Sequence, residues 1–200
     1  MDKDKQNLIE KVKQLRAETG AGWMDCRKAL EEAEGDIEQA RRILKAKGVQ
    51  IAQKKAHREA REGLIEAYIH FSGRFGALVE VNCETDFVAR TPEFKRLAQE
   101  IALQVAGMNP RYVSRDQIPE EEVHRLRQEF EETVAASLPP ETRDSAWERY
   151  LERFYAEHCL LDQPLVRDQT QTVRDLITEA IARLGENIVV RRFVRFELGE

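Results

Sequence analysis

Apolar residues recur at helical spacing through the first quarter of the chain, and glycines break the runs. Leu8, Val12 and Leu15 form one stripe. Thr19-Gly20-Ala21-Gly22 interrupts it, because two glycines so close make helix continuation costly. A second helix is predicted from Trp23 to Ala33, carrying Met24, Ala29 and Leu30. Gly35-Asp36 ends it. Asp36 stands where it can cap a third helix, with Gln39 three residues on as in a capping box. Ile37, Ala40, Ile43 and Leu44 supply the buried stripe, and Gly48 suits a C-terminal cap. The pattern therefore predicts a three-helix domain over residues 1–50.

Residues 51–62 are almost continuously charged or small and read as an exposed helical linker. Beyond them the period changes. Leu64 to Phe71 and Phe75 to Asn82 are β-like runs, and Ser72-Gly73-Arg74 between them predicts a hairpin. Thr91 and Pro92 open a helix over 92–107 whose inner face carries Phe94, Leu97, Ile101 and Val105. Two polar helices over 119–157, split at Pro139-Pro140, predict a helical hairpin. A last helix, marked by Val173, Ile177, Ile181 and Leu184, stops at Gly185. A strand follows, with Ile188, Val190, Val194 and Phe196 on one face and Val189, Arg191, Phe193, Arg195 and Glu197 on the other. Three antiparallel strands with helices to one side make residues 63–200 an α+β core.

Composition narrows the class. The chain has 200 residues, 42% hydrophobic and 34% charged. It holds no apolar run of about 18 residues, so no membrane-spanning helix is expected. Its start, Met1-Asp2-Lys3-Asp4-Lys5, lacks the apolar stretch of a signal peptide, which points to a cytoplasmic protein. The net charge of -5 gives no global electrostatic reason to bind nucleic acid. Cys26, Cys83 and Cys159 are odd in number and widely spaced, which argues against a disulfide framework and against a zinc site.

No phosphate-cradling, dinucleotide-binding or nucleophile-elbow motif occurs, so the chain is not read as an enzyme and no cofactor or metal is expected. The densest polar cluster is Asn82-Cys83-Glu84-Thr85-Asp86. Cys83 lies at a strand end with no base supplied nearby, and a small buried thiol is the ordinary reading. Asp86-Phe87 falls between a strand end and a helix start, on a tight loop held by rigid elements, where binding residues tend to sit. The ring can fill a partner's pocket while the carboxylate meets a polar group. Equally, Phe87 can turn inward and Asp86 can make a local turn bond.

Three segments resemble the elongation factor Ts family. They are Asn82-Cys83-Glu84-Thr85-Asp86-Phe87-Val88, the stretch from Leu15 through Thr19-Gly20-Ala21-Gly22 to Leu30, and Gly185-Glu186-Asn187-Ile188-Val189-Val190-Arg191-Arg192-Phe193. They occur in family order, and the likeness covers nearly the whole chain. The family often has two methionines after the Thr-Gly-Ala-Gly turn, and here the first is Trp23.

The resemblance implies a ubiquitin-associated-like fold for residues 1–50, an α+β dimerisation core, and elongation factor Tu as partner. It implies that Arg16, Trp23 and Met24 touch the partner's GTPase domain. It also implies that Thr85, Asp86, Phe87 and Val88 approach the partner's nucleotide site and disturb its Mg²⁺, so that the chain promotes GDP exchange without binding nucleotide itself. Trp23 and Met24 packed into their own core is the competing reading, since apolar residues at a helix start commonly turn inward. A homodimer is expected, because the last strand is apolar on both faces and one face needs a cover; the competing reading is a monomer in which the 119–157 hairpin folds over that face. The alternative function is a nucleic-acid-binding translation protein using Lys54 to Arg61 and Arg191, Arg192 and Arg195 as phosphate contacts. Acidic net charge and the lack of exposed aromatics on that arm count against it.

Overall fold

The computed structural model describes residues 2–199. Its elements are α1 (Asp2–Thr19), α2 (Trp23–Glu32), α3 (Ile37–Lys55), β1 (Glu62–Ile69), β2 (Phe75–Cys83), α4 (Asp86–Ala89), α5 (Pro92–Met108), α6 (Glu120–Thr133), α7 (Arg143–His158), α8 (Val173–Leu184) and β3 (Val189–Glu197). The class is α+β, as the pattern predicts: three N-terminal helices, then a three-stranded antiparallel sheet in the order β1-β2-β3 with packed helices. By contact density the chain divides into two compact units. One contains the chain up to Gly63, with Asn82–Phe94 and Leu176–Val189; the other contains Leu64–Val81, Lys95–Asp175 and the chain from Val190 onward.

In the first unit, Val12, Leu15, Cys26, Ala29, Leu30, Ala33 and Ala40 form a buried cluster, flanked by Leu8, Ile37, Ile43 and Leu44. These are the stripes that helical spacing picks out. Gly20 ends α1 at φ +67°, a conformation that costs a side chain about 1 kcal/mol or more and glycine little. Asp36 caps α3 by accepting from the Gln39 amide at 2.9 Å.

The stop expected at Gly48 does not occur. The helix runs on to Lys55, so residues 51–55 of the charged stretch are its last turn. Gly48 is buried inside α3, where a Cβ would meet Ala182 Cβ of α8 at 3.7 Å. Close approach to α8, and not helix termination, accounts for a small residue here.

The second unit holds most of the sheet. Ala77, Val79 and Val81 of β2, Leu97, Ala98, Ile101, Ala102 and Val105 of α5, and Val190 of β3 are buried. Gln104 and Gln163 are buried polar groups with their bonds satisfied. The Gln104 amide donates to Gln163 Oε1 at 3.1 Å and to the Pro164 carbonyl at 3.0 Å, and its Oε1 accepts from the Val166 amide at 2.9 Å. The α6–α7 hairpin has a small core of its own around Phe130, Ala135 and Ala146, with Trp147 and Tyr150 packed on it.

The faces of β3 are unevenly covered. Val190 is buried, but Val194 and Phe196, expected on the same face, are 42% and 68% exposed. Arg192, on that same face, pairs with Glu80 of β2 at 2.7 Å, so the face is covered at the Val190 end and open beyond it. Phe193 and Arg195 lie on the opposite face, where both are half-buried. Arg195 runs its stem inward over the Phe75 ring and donates to the Ala106 carbonyl at 3.0 Å.

Because 3.7 Å is ordinary contact, Gly48→Ala should fit and remove the conformational penalty of a glycine inside a helix. Stability should rise by about 0.5–1 kcal/mol, a thermal midpoint about 1–4 °C higher. Gly48→Leu should lower it, since the larger side chain must displace α8. Thermal denaturation of the two variants beside the unaltered chain checks both signs.

Candidate functional site

The end of β2 leads directly into α4, a single helical turn. Cys83 is fully buried and its thiol donates to the Thr85 carbonyl at 3.1 Å. Burial, aided by the nearby negative charge of Glu186, pushes that thiol up to about 11. It is therefore a neutral packing group and not a nucleophile. Thr85 has extended backbone and is the N-cap of α4, its Oγ1 accepting from the Val88 amide at 3.4 Å. The Ala89 and Arg90 amides close the turn onto the Thr85 and Asp86 carbonyls at 3.2 and 3.1 Å.

Thr91 then caps α5 and fastens α4 to it. Its hydroxyl donates to the Val88 carbonyl at 2.8 Å and accepts from the Phe94 amide at 3.2 Å. What the sequence presents as a loop is thus a helical turn with a cap on each side. The turn leaves Phe87 78% exposed. The inward-turning reading of this ring does not hold, because the turn buries Ala89 instead. Asp86 is engaged by Arg90 at 2.8 Å, four residues on. Both side chains are substantially exposed, so the pair contributes about 0–1 kcal/mol and is easily exchanged for another partner.

The same unit carries the other predicted residues. Gly22 precedes α2 in extended conformation, and Trp23 and Met24 occupy the first helical positions. They are 37% and 55% exposed, so neither belongs to the buried cluster below them. Arg16 is exposed near the end of α1. The turn between α1 and α2 is braced by Arg183 of α8, which donates to the Thr19 carbonyl at 3.4 Å and pairs with Glu93 at 2.5 Å. A Cβ at Gly20 would fall 2.6 Å from Arg183 Cδ, so this glycine serves close approach as well as positive φ.

Sequence reasoning attached no role to Glu186 and Asn187. The structure puts both against the start of α4. Glu186 Oε2 accepts from the Glu84 and Thr85 amides, each at 3.0 Å, and its Oε1 accepts from the Thr85 hydroxyl at 2.6 Å. Asn187 is buried; its amide donates to Glu84 Oε1 at 2.6 Å and its side chain to the Arg58 carbonyl at 2.7 Å. The Gly185-Glu186-Asn187 run was a signal for these residues, but nothing local in it names Glu84 and Thr85 as partners. Among the described residues no cluster of three or more His, Cys, Asp or Glu side chains is arranged to hold a metal ion, and no helix is long and apolar enough to cross a membrane.

Comparison with known proteins matches residues 2–200 to the family described as Elongation factor TS. The chain is 56% identical over 190 residues to elongation factor Ts of Coprothermobacter proteolyticus, covering 94% of this chain and 96% of that protein. It is 54% identical over 190 residues to the elongation factor Ts of Thermoanaerobacter sp. strain X514, covering 94% and 93%. It is 49% identical over 189 residues to that of Thermodesulfovibrio yellowstonii, covering 94% of each.

The three cysteines are all buried, and Cys159, like Cys83, is pushed up to about 11 by burial. A disulfide thiol reagent at pH 8 should therefore leave the native chain unlabelled and label all three thiols once urea unfolds it. Rapid labelling of native Cys83 would contradict the packing role given to it here.

Proposed function

The chain belongs to the elongation factor Ts family and is on that ground a translation elongation factor, and we propose that it acts as the guanine nucleotide exchange factor of elongation factor Tu. The observation that carries this reading is the exposed Phe87 ring on a turn capped at both ends. In this reading Asp86 and Phe87, supported by Thr85 and Val88, enter near the partner's nucleotide site and disturb the bound Mg²⁺. Arg16, Trp23 and Met24 hold the partner's GTPase domain, so residues 1–50 act as the capture module, with the charged stretch 51–62 leading into the core.

The mechanism needs no covalent step. Mg²⁺ neutralises the nucleotide phosphates and bridges them to the GTPase, so moving its ligands weakens nucleotide binding. By reciprocity nucleotide weakens binding of the factor by the same ratio. Exchange is then accelerated in both directions, and the ratio of GTP to GDP in the cytoplasm sets the outcome. The factor itself is not an enzyme and requires neither nucleotide nor metal.

The nucleic-acid reading has less support, because several of the cations it needs already face carboxylates. Arg58 faces Glu84 at 3.5 Å, Arg61 faces Glu59 at 2.5 Å, and Arg192 faces Glu80 at 2.7 Å. Phosphate would have to displace each of these carboxylates.

We further infer a homodimer built on the second unit. The open face of its sheet forms a groove of about 480 Å³ lined by Ala67, Ile69, Leu78, Phe196 and Leu198 among others. Ile69, Phe196 and Leu198 are each more than 60% exposed. A two-fold copy of the same face is the commonest way to cover such a surface.

The chain should speed release of labelled GDP from elongation factor Tu at substoichiometric concentration, measured by fluorescence in excess unlabelled GDP. Phe87→Ala should weaken productive binding by about 2 kcal/mol, roughly thirtyfold, with little change in thermal midpoint. A large fall in midpoint with undiminished exchange would restore Phe87 to a packing role. For the assembly, sedimentation equilibrium at micromolar concentration should give twice the 23.2 kDa chain mass. Phe196→Lys should return the monomer.

A further inference from the structure

A helix of one turn has almost no stability of its own, because nucleation fixes several residues for a single bond. The four-residue α4 that carries Phe87 must therefore be held from outside. Its own cap is weak, with 3.4 Å between Thr85 Oγ1 and the Val88 amide. Thr91 holds its far end, donating to the Val88 carbonyl at 2.8 Å, and the bonds at its start come from elsewhere in the chain. Gly185, at φ +75°, turns the backbone out of α8 so that Glu186 faces the strand end. The Glu186 carboxylate then receives two backbone amides and the Thr85 hydroxyl. Hydrogen bonds to an ionised acceptor are about twice as strong as neutral ones. The hydroxyl bond also orients Thr85: with its proton on Glu186, its lone pairs are left for the Val88 amide.

The arrangement is reciprocal. While Glu186 takes the amides of Glu84 and Thr85, the Glu84 carboxylate takes the amide of Asn187. Each segment supplies the anion for the other's backbone. Arg58 completes the joint, its carbonyl accepting from Asn187 and its guanidinium facing Glu84 at 3.5 Å. Loss of one carboxylate leaves the other half in place, so the expected damage is local.

We propose that Glu186 is a positioning residue for nucleotide exchange, setting the pose of α4 and thereby the direction in which Phe87 projects; this rests on the reading of Asp86-Phe87 as the element that enters the partner. Glu186 does not meet the partner in this role. It acts through Thr85 and the backbone of residues 84–85.

The test uses Glu186→Gln in the full-length chain. The amide side chain keeps the size but replaces one acceptor oxygen with a donor, facing it to a group that also donates. Amide hydrogen exchange should accelerate about tenfold or more at Glu84, Thr85, Ala89 and Arg90, and stay unchanged at Ile101 and Val105 inside α5. In GDP release from elongation factor Tu, the maximal rate should fall about tenfold, while the half-saturating factor concentration, set largely by Arg16, Trp23 and Met24, should change less than about twofold. Should Glu186→Gln fail to fold, Glu186→Asp, which keeps the charge and shortens the reach, gives the same readouts. Unchanged amide protection, or an unchanged maximal rate where Phe87→Ala is clearly slower than the unaltered chain, overturns the proposal. If Phe87→Ala exchanges as fast as the unaltered chain, the entry of Phe87 is itself wrong, and the role of Glu186 falls with it.

Discussion

The amides that begin a helix have no partner within it, and here a carboxylate from the far end of the chain takes two of those next to α4. Much of the local structure follows from this one constraint. Gly185 must adopt φ +75° so that Glu186 can turn back, and Asn187 must be buried so that its amide meets Glu84. Cys83 is sealed beneath the joint, where its thiol stays protonated. A large exposed aromatic on a slack loop would lose binding energy to ordering when it met a partner. On a turn fixed from both sides, that ordering is complete before any partner arrives.

The bracing of the first turn of α2 obeys a related logic. Trp23 and Met24 project from a helix start whose N-cap, Gly22, makes no side-chain bond. The preceding turn is instead held by Arg183, which reaches the Thr19 carbonyl and Glu93. α8 thus supplies one support to the α1–α2 turn and, just beyond its end, another to α4. Both sets of candidate contact residues depend on the same twelve-residue helix.

Short-range regularities were legible in the sequence. The apolar stripes of α1, α2, α3 and α5, the caps at Asp36 and Thr91 and the stop at Gly185 each depend on residues within about four positions of one another. Gly48 was misread for the same reason: its neighbours suit a helix end, and only the distant Ala182 and Thr178 explain a small residue in mid-helix. In β3 the period-two pattern marks the faces but not how far each is covered: Val190 is buried, while Val194 and Phe196 on its face are exposed. That Asp86 and Phe87 are accessible follows from capped geometry, which strand and turn preferences do not encode. The Glu186–Thr85 pairing spans 101 residues, and no periodicity reaches that far.

In the proposed reading the chain is an exchange factor, and such a factor faces a limit that bears on its surface. Affinity that is equal in the presence and absence of nucleotide does nothing for exchange; only binding that differs between the two states shifts the partner. Residues that merely capture the partner and residues that disturb its metal site therefore have different duties, and separating them lets each be tuned alone. On the proposed reading the chain offers two such places in one unit. Trp23 and Met24 stand on the first turn of a ten-residue helix above a buried cluster, suited to holding a surface. Phe87 stands on a four-residue turn and is the more exposed, suited to entering a cleft. Asp86, held only by an exposed pair with Arg90, can trade that contact for one on the partner at little cost. The rigid part is the backbone beneath the ring, and the adaptable part is the carboxylate beside it. That division suits a group whose entry must be forced upon the partner and whose polar contact must be reversible.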